Sequence, residues 1–278
     1  MAINDKLLFK QALSAEMFSP STGEMLWTLE DLKGVNISFS ADSEEKTDAT
    51  NAVIAKYYQA KTAQVTGNTS FFTTSLIAAQ FGSSRVDATS ADKITAPVRE
   101  KIKIGYSSGT TVNTTVTLSQ IPVGTSGSEI PFIYIVDKSG VIVGKYAVGA
   151  EASSTKFVID AANKTITLPT DATTIKADNY VLVFYSYATA TGCKIDNNAK
   201  NLPKSGTLWI ECLFTDICDK NIEYHGWIVM NSAQLSPETE IPLDKTGDFP
   251  FTIDSTVDYC SEAGQILSVV IPEVVASA

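Results

Sequence analysis

Apolar and polar residues alternate along most of this chain with a period of two, the pattern of strands that bury one face. Val35, Ile37 and Phe39 alternate with Asn36, Ser38 and Ser40, and Gly34 marks the start of that strand. Residues 64–72 read as a second strand, with Gly67 and Asn68 as a bulge. Beyond residue 98 the chain runs as strands and tight turns. Segments 131–136 and 141–146 flank a turn that ends in Gly140, and 156–159 and 165–168 flank a second polar turn. Residues 180–187 are the most strand-like run, 207–214 and 223–230 form another pair, and 249–253 and 267–271 end the fold. Turn signals this closely spaced point to a β-sandwich or barrel.

Two stretches depart from the two-residue period. Thr74 or Ser75 can cap a helix through Leu76, Ile77, Ala78, Ala79 and Phe81 that Gly82 ends, the one helix expected. Residues 41–63 form a connection too long for a simple hairpin turn. Its front is polar, with Asp42, Glu44, Glu45 and Asp48, and its rear, through Tyr57 and Tyr58, is expected to hold a short helix. Residues 83–96 read as a polar connection closing at Pro97. The expected fold class is therefore mainly β: a sandwich or barrel core with one flanking α-helix. The expected segments are 1–96, a β-rich middle subdomain over 97–190, and 191–278.

Composition changes the picture in one respect. The chain has 278 residues, 44% of them apolar, enough for one or two packed domains and too apolar for disorder. Its formal charge is −10, and 13 acidic against 5 basic side chains place −8 in residues 191–278. Such a balance argues against a protein that clamps DNA by neutralising phosphate. No apolar run is long enough for a membrane helix, and the first fourteen residues lack the apolar stretch of a secretory signal. No membrane insertion is expected.

Candidate chemistry is sparse. Cys212 and Cys218 are too widely spaced for an ordinary zinc knuckle, and Cys193 and Cys260 lie far away, so four packed thiols are expected. His225 is the only histidine, with no nucleophile elbow near it, and reads as a polar strand-face or interface residue. Nucleotide-binding glycine loops, zinc-protease motifs and calcium loops are absent; Asp216 and Asp219 around Cys218 lack the calcium-loop spacing. Glu30 with Asp31 and Glu44 with Glu45 are sequence neighbours, a poor geometry for shared acid–base work on a strand. Trp27, Trp209 and Trp227 read as core or interface anchors. Neither an enzyme nor a cofactor is expected.

One resemblance bears on function. Residues 201–206 lead into the strand 207–212. Asp216–Asp219, the strand 224–230, Gln234–Glu238, Gly247–Phe251 and a closing strand through Pro272 and Glu273 follow. This order, with Ser21–Glu24 and Leu32–Gly34 near the start, resembles the major tail tube proteins of tailed bacteriophages. The resemblance implies a virion structural protein, assembled in the bacterial cytoplasm, whose copies form six-membered rings that stack into a tube. Its partners would be other copies and other tail proteins, and DNA would pass through without being gripped. Acidity suits such a bore. By its length and its place between two strands, the long connection would reach the next ring through Asp42, Glu44, Glu45, Asp48, Tyr57 and Tyr58. An N-terminal arm from Ala2, with Leu7, Leu8, Phe9, Leu13 and Phe18, would drape over a neighbour, or instead form a strand or helix of its own fold. The competing readings are a capsid decoration protein or head–tail adaptor, and a carbohydrate-binding sandwich. The last calls for exposed aromatics on one face, and Tyr180, Tyr185 and Tyr187 are its only local cluster in sequence.

Overall fold

The computed structural model describes residues 6–218, 220–245, 247–258 and 264–272. Cys260, Asp219, Glu273 and the start of the N-terminal arm lie outside them. The protein is mainly β, 53% strand and 3% helix. The chain divides into two compact units, residues 1–85 with 195–278, and residues 86–194. The middle unit thus begins at Val86 and ends at Lys194, wider at both ends than the 97–190 expected.

The first unit holds strands β1 (Leu7–Phe18), β2 (Met25–Leu29), β3 (Leu32–Thr47) and β4 (Val53–Thr69), then helix α1 (Thr74–Gln80). The second unit runs from β5 (Val86–Asp87) and β6 (Ile94–Lys103) through β7 (Tyr106–Ser108), β8 (Thr111–Val112) and β9 (Thr115–Thr117). It continues with β10 (Phe132–Val136), β11 (Ile142–Val148), β12 (Lys156–Asp160), β13 (Thr165–Thr167), β14 (Tyr180–Thr189) and β15 (Cys193–Lys194). The chain then returns to the first unit with β16 (Ser205–Asp216), β17 (Glu223–Leu235), β18 (Phe249–Ser255) and β19 (Ser268–Val270).

In the first unit these strands form one curled half-barrel sheet in the order β2-β1-β16-β17-β18-β4-β3, with β19 on the free stretch of β17. Period-two alternation puts Met17, Trp27, Val65, Leu208, Ile210, Met230, Leu235, Phe251 and Ile253 on the concave side, each at most 2% exposed. Leu76 of α1 closes this core. The Cys212 thiol is buried there, and burial pushes its pKa up to about 11. Gly82, at φ +61°, ends the helix and passes so close to Leu202 that an added Cβ would lie 2.2 Å from its carbonyl oxygen. The helix start differs from expectation: the N-cap is Thr73, in extended conformation, and its side chain makes no capping bond.

The second unit has a seven-stranded sheet, β6-β14-β10-β11-β12-β13-β9, with a core of its own. Ile104, Ile130, Ile133, Ile135, Phe157, Ile166, Val181 and Val183 are fully buried there. Pro97 sits inside β6 rather than ending a connection. The strand is at the sheet edge, where one side needs no donor and proline is tolerated. Tyr185 turns into this core and donates to Glu100, which also accepts from the Ser119 hydroxyl. Tyr185 is therefore no part of an exposed sugar-stacking cluster.

Two cores predict separable damage. Ile133→Ala should cost about 2–5 kcal/mol within the second unit and leave the Trp27 environment of the first unchanged. Near-ultraviolet dichroism with tryptophan fluorescence during denaturant unfolding checks this, since all three tryptophans lie in the first unit. Gly82→Ala should destabilise the first unit by more than about 1 kcal/mol, through both its positive φ and the Leu202 backbone.

Candidate functional site

Residues 41–63 are not a loop with a helix. They are the distal part of the β3–β4 hairpin, paired from Leu32↔Thr69 to Thr47↔Val53. Val53, Ile54, Tyr57 and Tyr58 are β-branched or aromatic, and cross-strand pairing suits them better than a helical turn. The turn is built on Asp48. Its carboxylate accepts from Thr50 N–H at 2.8 Å, Ala52 N–H at 2.9 Å and the Thr50 hydroxyl at 2.7 Å. These bonds hold the Asp48 pKa below its ordinary value, the Thr50 hydroxyl contributing most. The extra residue that breaks the register near the base sits at Gly34–Val35 on β3, with Gly34 at φ +57°, and not at Gly67–Asn68.

Strand β18 covers β4 only between Ala63 and Thr69. Beyond it the hairpin is a two-stranded ribbon with both faces open. Such a ribbon is marginal by itself in water. Its face with Asp42, Glu44 and Tyr57 opposes one with Ser43, Glu45, Lys56 and Tyr58, as the pairs Glu44↔Tyr57 and Glu45↔Lys56 require. Lys56 bridges Glu45 at 3.0 Å, while Tyr57 and Tyr58 stand 59% and 70% exposed. All six sequence-expected contact residues therefore lie on this ribbon, with the two tyrosines on opposite faces.

The N-terminal segment is a strand of its own fold. All of β1 pairs with β16, but β2 covers only Ala15–Phe18, so among the described residues no strand is hydrogen-bonded to the other edge of Leu7–Ser14. Leu8 and Phe9 stay exposed, Phe9 edge-on to Phe214 at 5.6 Å, while Leu7, Leu13 and Phe18 are half-buried. At the opposite end of the sheet, β3 has β4 on one side and an open edge on the other. Among the described residues, neither of these edges is hydrogen-bonded to a further strand.

The convex face of β3, β4 and β18 is a further feature that the sequence reading missed. Asn36, Ser38, Ser40, Thr62, Gln64, Thr66, Asn68, Thr252 and Asp254 share it by register. Gln64 donates to Asp254 at 2.8 Å, and the Ser40 and Thr62 hydroxyls meet at 2.8 Å. Lys33, at its lower end, is held by Asp248 at 3.0 Å. The signal was in the sequence, as polar residues at every second position, but only pairing brings three such rows together.

The remaining candidates are structural. His225 Nδ1 lies 2.8 Å from Glu211 Oε1 across β16 and β17, half-exposed. Trp209 and Trp227, distant in sequence, meet edge-to-face at 6.0 Å, with Phe18 at 5.2 Å from Trp209. Trp27 is buried in the core. Asp31 accepts from the Thr69 hydroxyl at 2.6 Å and Ser70 N–H at 2.7 Å, pinning the end of β4. Among the described residues no three His, Cys, Asp or Glu side chains gather as a metal site, and no helix is long and apolar enough to cross a membrane. Compared with protein-family models and with curated proteins, the chain matches none of them.

The Asp48 bonds form only with the carboxylate, so their stabilisation is present at neutral pH and lost as pH falls through the lowered folded pKa. Backbone NMR shifts of Asp48–Ala52 should move toward random-coil values below pH about 4. Asp48→Ala should show the same shifts at neutral pH.

Proposed function

We propose that this chain is a structural protein that polymerises with copies of itself into stacked rings, forming the DNA-conducting tube of a phage tail. The observation that carries this reading is the ribbon beyond Ser40 and Thr62, a two-stranded projection with exposed Tyr57, Tyr58, Val53 and Ile54 and no sheet beneath it. Such a projection gains stability by lying against another molecule.

The two open edges support the same reading. An edge along Leu7–Ser14 and one along β3 can complete each other between neighbours, a head-to-tail contact that closes when its rotation closes. The convex β3–β4–β18 face supports a bore. It offers hydroxyls, amides and Asp254, and its single cation, Lys33, is already paired, so nothing on it condenses on phosphate. The first unit carries 22 acidic and 11 basic side chains, net −11, which opposes DNA adhesion. On this reading the protein sits in the virion tail after assembly in the bacterial cytoplasm, and contacts other tail proteins at the tube ends.

Replacing residues 42–59 by a two-residue turn should leave both cores folded and abolish tubes or rings in negative-stain electron microscopy of the purified protein. Normal tubes from the shortened chain would exclude the ribbon as the contact. A wild-type chain that stays monomeric when concentrated would favour a decoration or adaptor role instead.

A further inference from the structure

The second unit has one face whose chemistry the tube reading does not use. Arg99 and Lys101 lie on β6, Tyr180, Leu182 and Phe184 on β14, Phe132 and Tyr134 on β10, and Lys145 on β11. Register puts these side chains on the side opposite the core: Lys101↔Leu182, Leu182↔Tyr134 and Tyr134↔Lys145 form one row across four strands, and Arg99 stands beside Phe184. Phe132 and Phe184 are 41% and 49% exposed. Lys145 lies over the Phe132 ring at 4.2 Å and Lys101 over Tyr180 at 4.4 Å. Lys103, at the end of the same face, is bound to Asp178 at 2.8 Å, whereas Arg99, Lys101 and Lys145 form no ion pair with a described residue. Charges on an edge strand commonly guard it against pairing. That accounts for β6 but not for the exposed rings one and two strands in or for Lys145 three strands in.

The first unit carries a segment of complementary chemistry. Between β17 and β18 the chain reads Ser236-Pro237-Glu238-Thr239-Glu240-Ile241-Pro242-Leu243, without regular structure. Pro237 and Pro242 bias it to an extended course. Glu238 and Glu240 are exposed, and Leu243 is 97% exposed. In an extended chain Glu238 and Glu240 project about 7 Å apart on one side, the same spacing as Arg99 and Lys101 on β6.

We propose that the Glu238–Leu243 segment of one copy docks on this basic, aromatic face of a second copy. The two carboxylates meet Arg99 and Lys101, beside the exposed Phe184 ring. The pairing of charges sets register and orientation. The proposal rests on the self-assembly reading and adds a contact outside the sheet edges and the ribbon. Nucleic acid fits less well, because ammonium groups already lie over the Phe132, Tyr134 and Tyr180 rings and close them to stacked bases.

The test uses a fluorescent peptide of residues 236–245 and the full-length E238K/E240K chain, whose own segment no longer competes for the face. Anisotropy should show saturable binding that weakens with salt. Adding R99E/K101E to that chain should weaken it at least tenfold with unchanged circular dichroism, and an E238K/E240K peptide should regain binding to the R99E/K101E face. No binding, or binding indifferent to R99E/K101E, overturns the proposal. So does tighter R99- and K101-dependent binding of oligothymidylate or of anionic lipid vesicles. Tube formation by the wild-type chain is read separately: tubes without peptide binding overturn the docking alone, and peptide binding without tubes overturns the tube alone.

Discussion

Backbone pairing between β1 and β16 is the interaction on which the first unit depends. It joins residues near the start of the chain to residues some two hundred positions later, with the whole second unit lying between them in sequence. Every concave side chain of the half-barrel needs that pairing, because Met17 and Ala15 meet Leu208, Ile210 and Cys212 only when the two strands are in register. A one-residue slip would turn this core face outward. The contact is long-range and costs loop-closure entropy, which grows only slowly with loop length. A compact middle unit reduces that cost further, since it shortens the effective separation of the strands it separates. This explains how 109 residues are accommodated within one sheet.

The same sheet packs well on one side and leaves parts of its edges without a hydrogen-bonded strand among the described residues. Its concave side is closed by α1 and by alternating apolar rows, while among the described residues no strand is hydrogen-bonded to the outer edge of Leu7–Ser14 or of β3. Barrels remove their edges by closing, and this half-barrel does not. The ribbon extends β3 and β4 further, with aromatic side chains on both faces.

Charge separates the two units in a way that total charge conceals. The chain's −10 divides into −11 on the first unit and +1 on the second. On the first, acid and uncharged polar groups occupy the faces, and the one lysine of the convex wall is spoken for. On the second, arginine and lysine share a face with phenylalanine and tyrosine, and the one carboxylate beside them, Asp178, is taken by Lys103 and Lys138.

Local pattern was enough for much of this. The β-rich class, the helix ended by Gly82, both hairpins of the middle unit and the β16–β17 pair were legible, because period-two alternation and turn residues act over a few positions. Other features were not. Residues 41–63 read as a loop because charge at the front hid the strand propensity of Val53–Tyr58, and cross-strand partners decide between the two. Pro97 read as a boundary because an edge strand cannot be told from a connection until its neighbours are known. Trp209 with Trp227, the polar wall, the open edges, and the aromatic–basic face of β6, β14, β10 and β11 all depend on strand order. The sequence by itself determined which residues want burial and where the chain turns. Only the tertiary structure decided which strands lie side by side, since register is set by long-range burial that no local window contains.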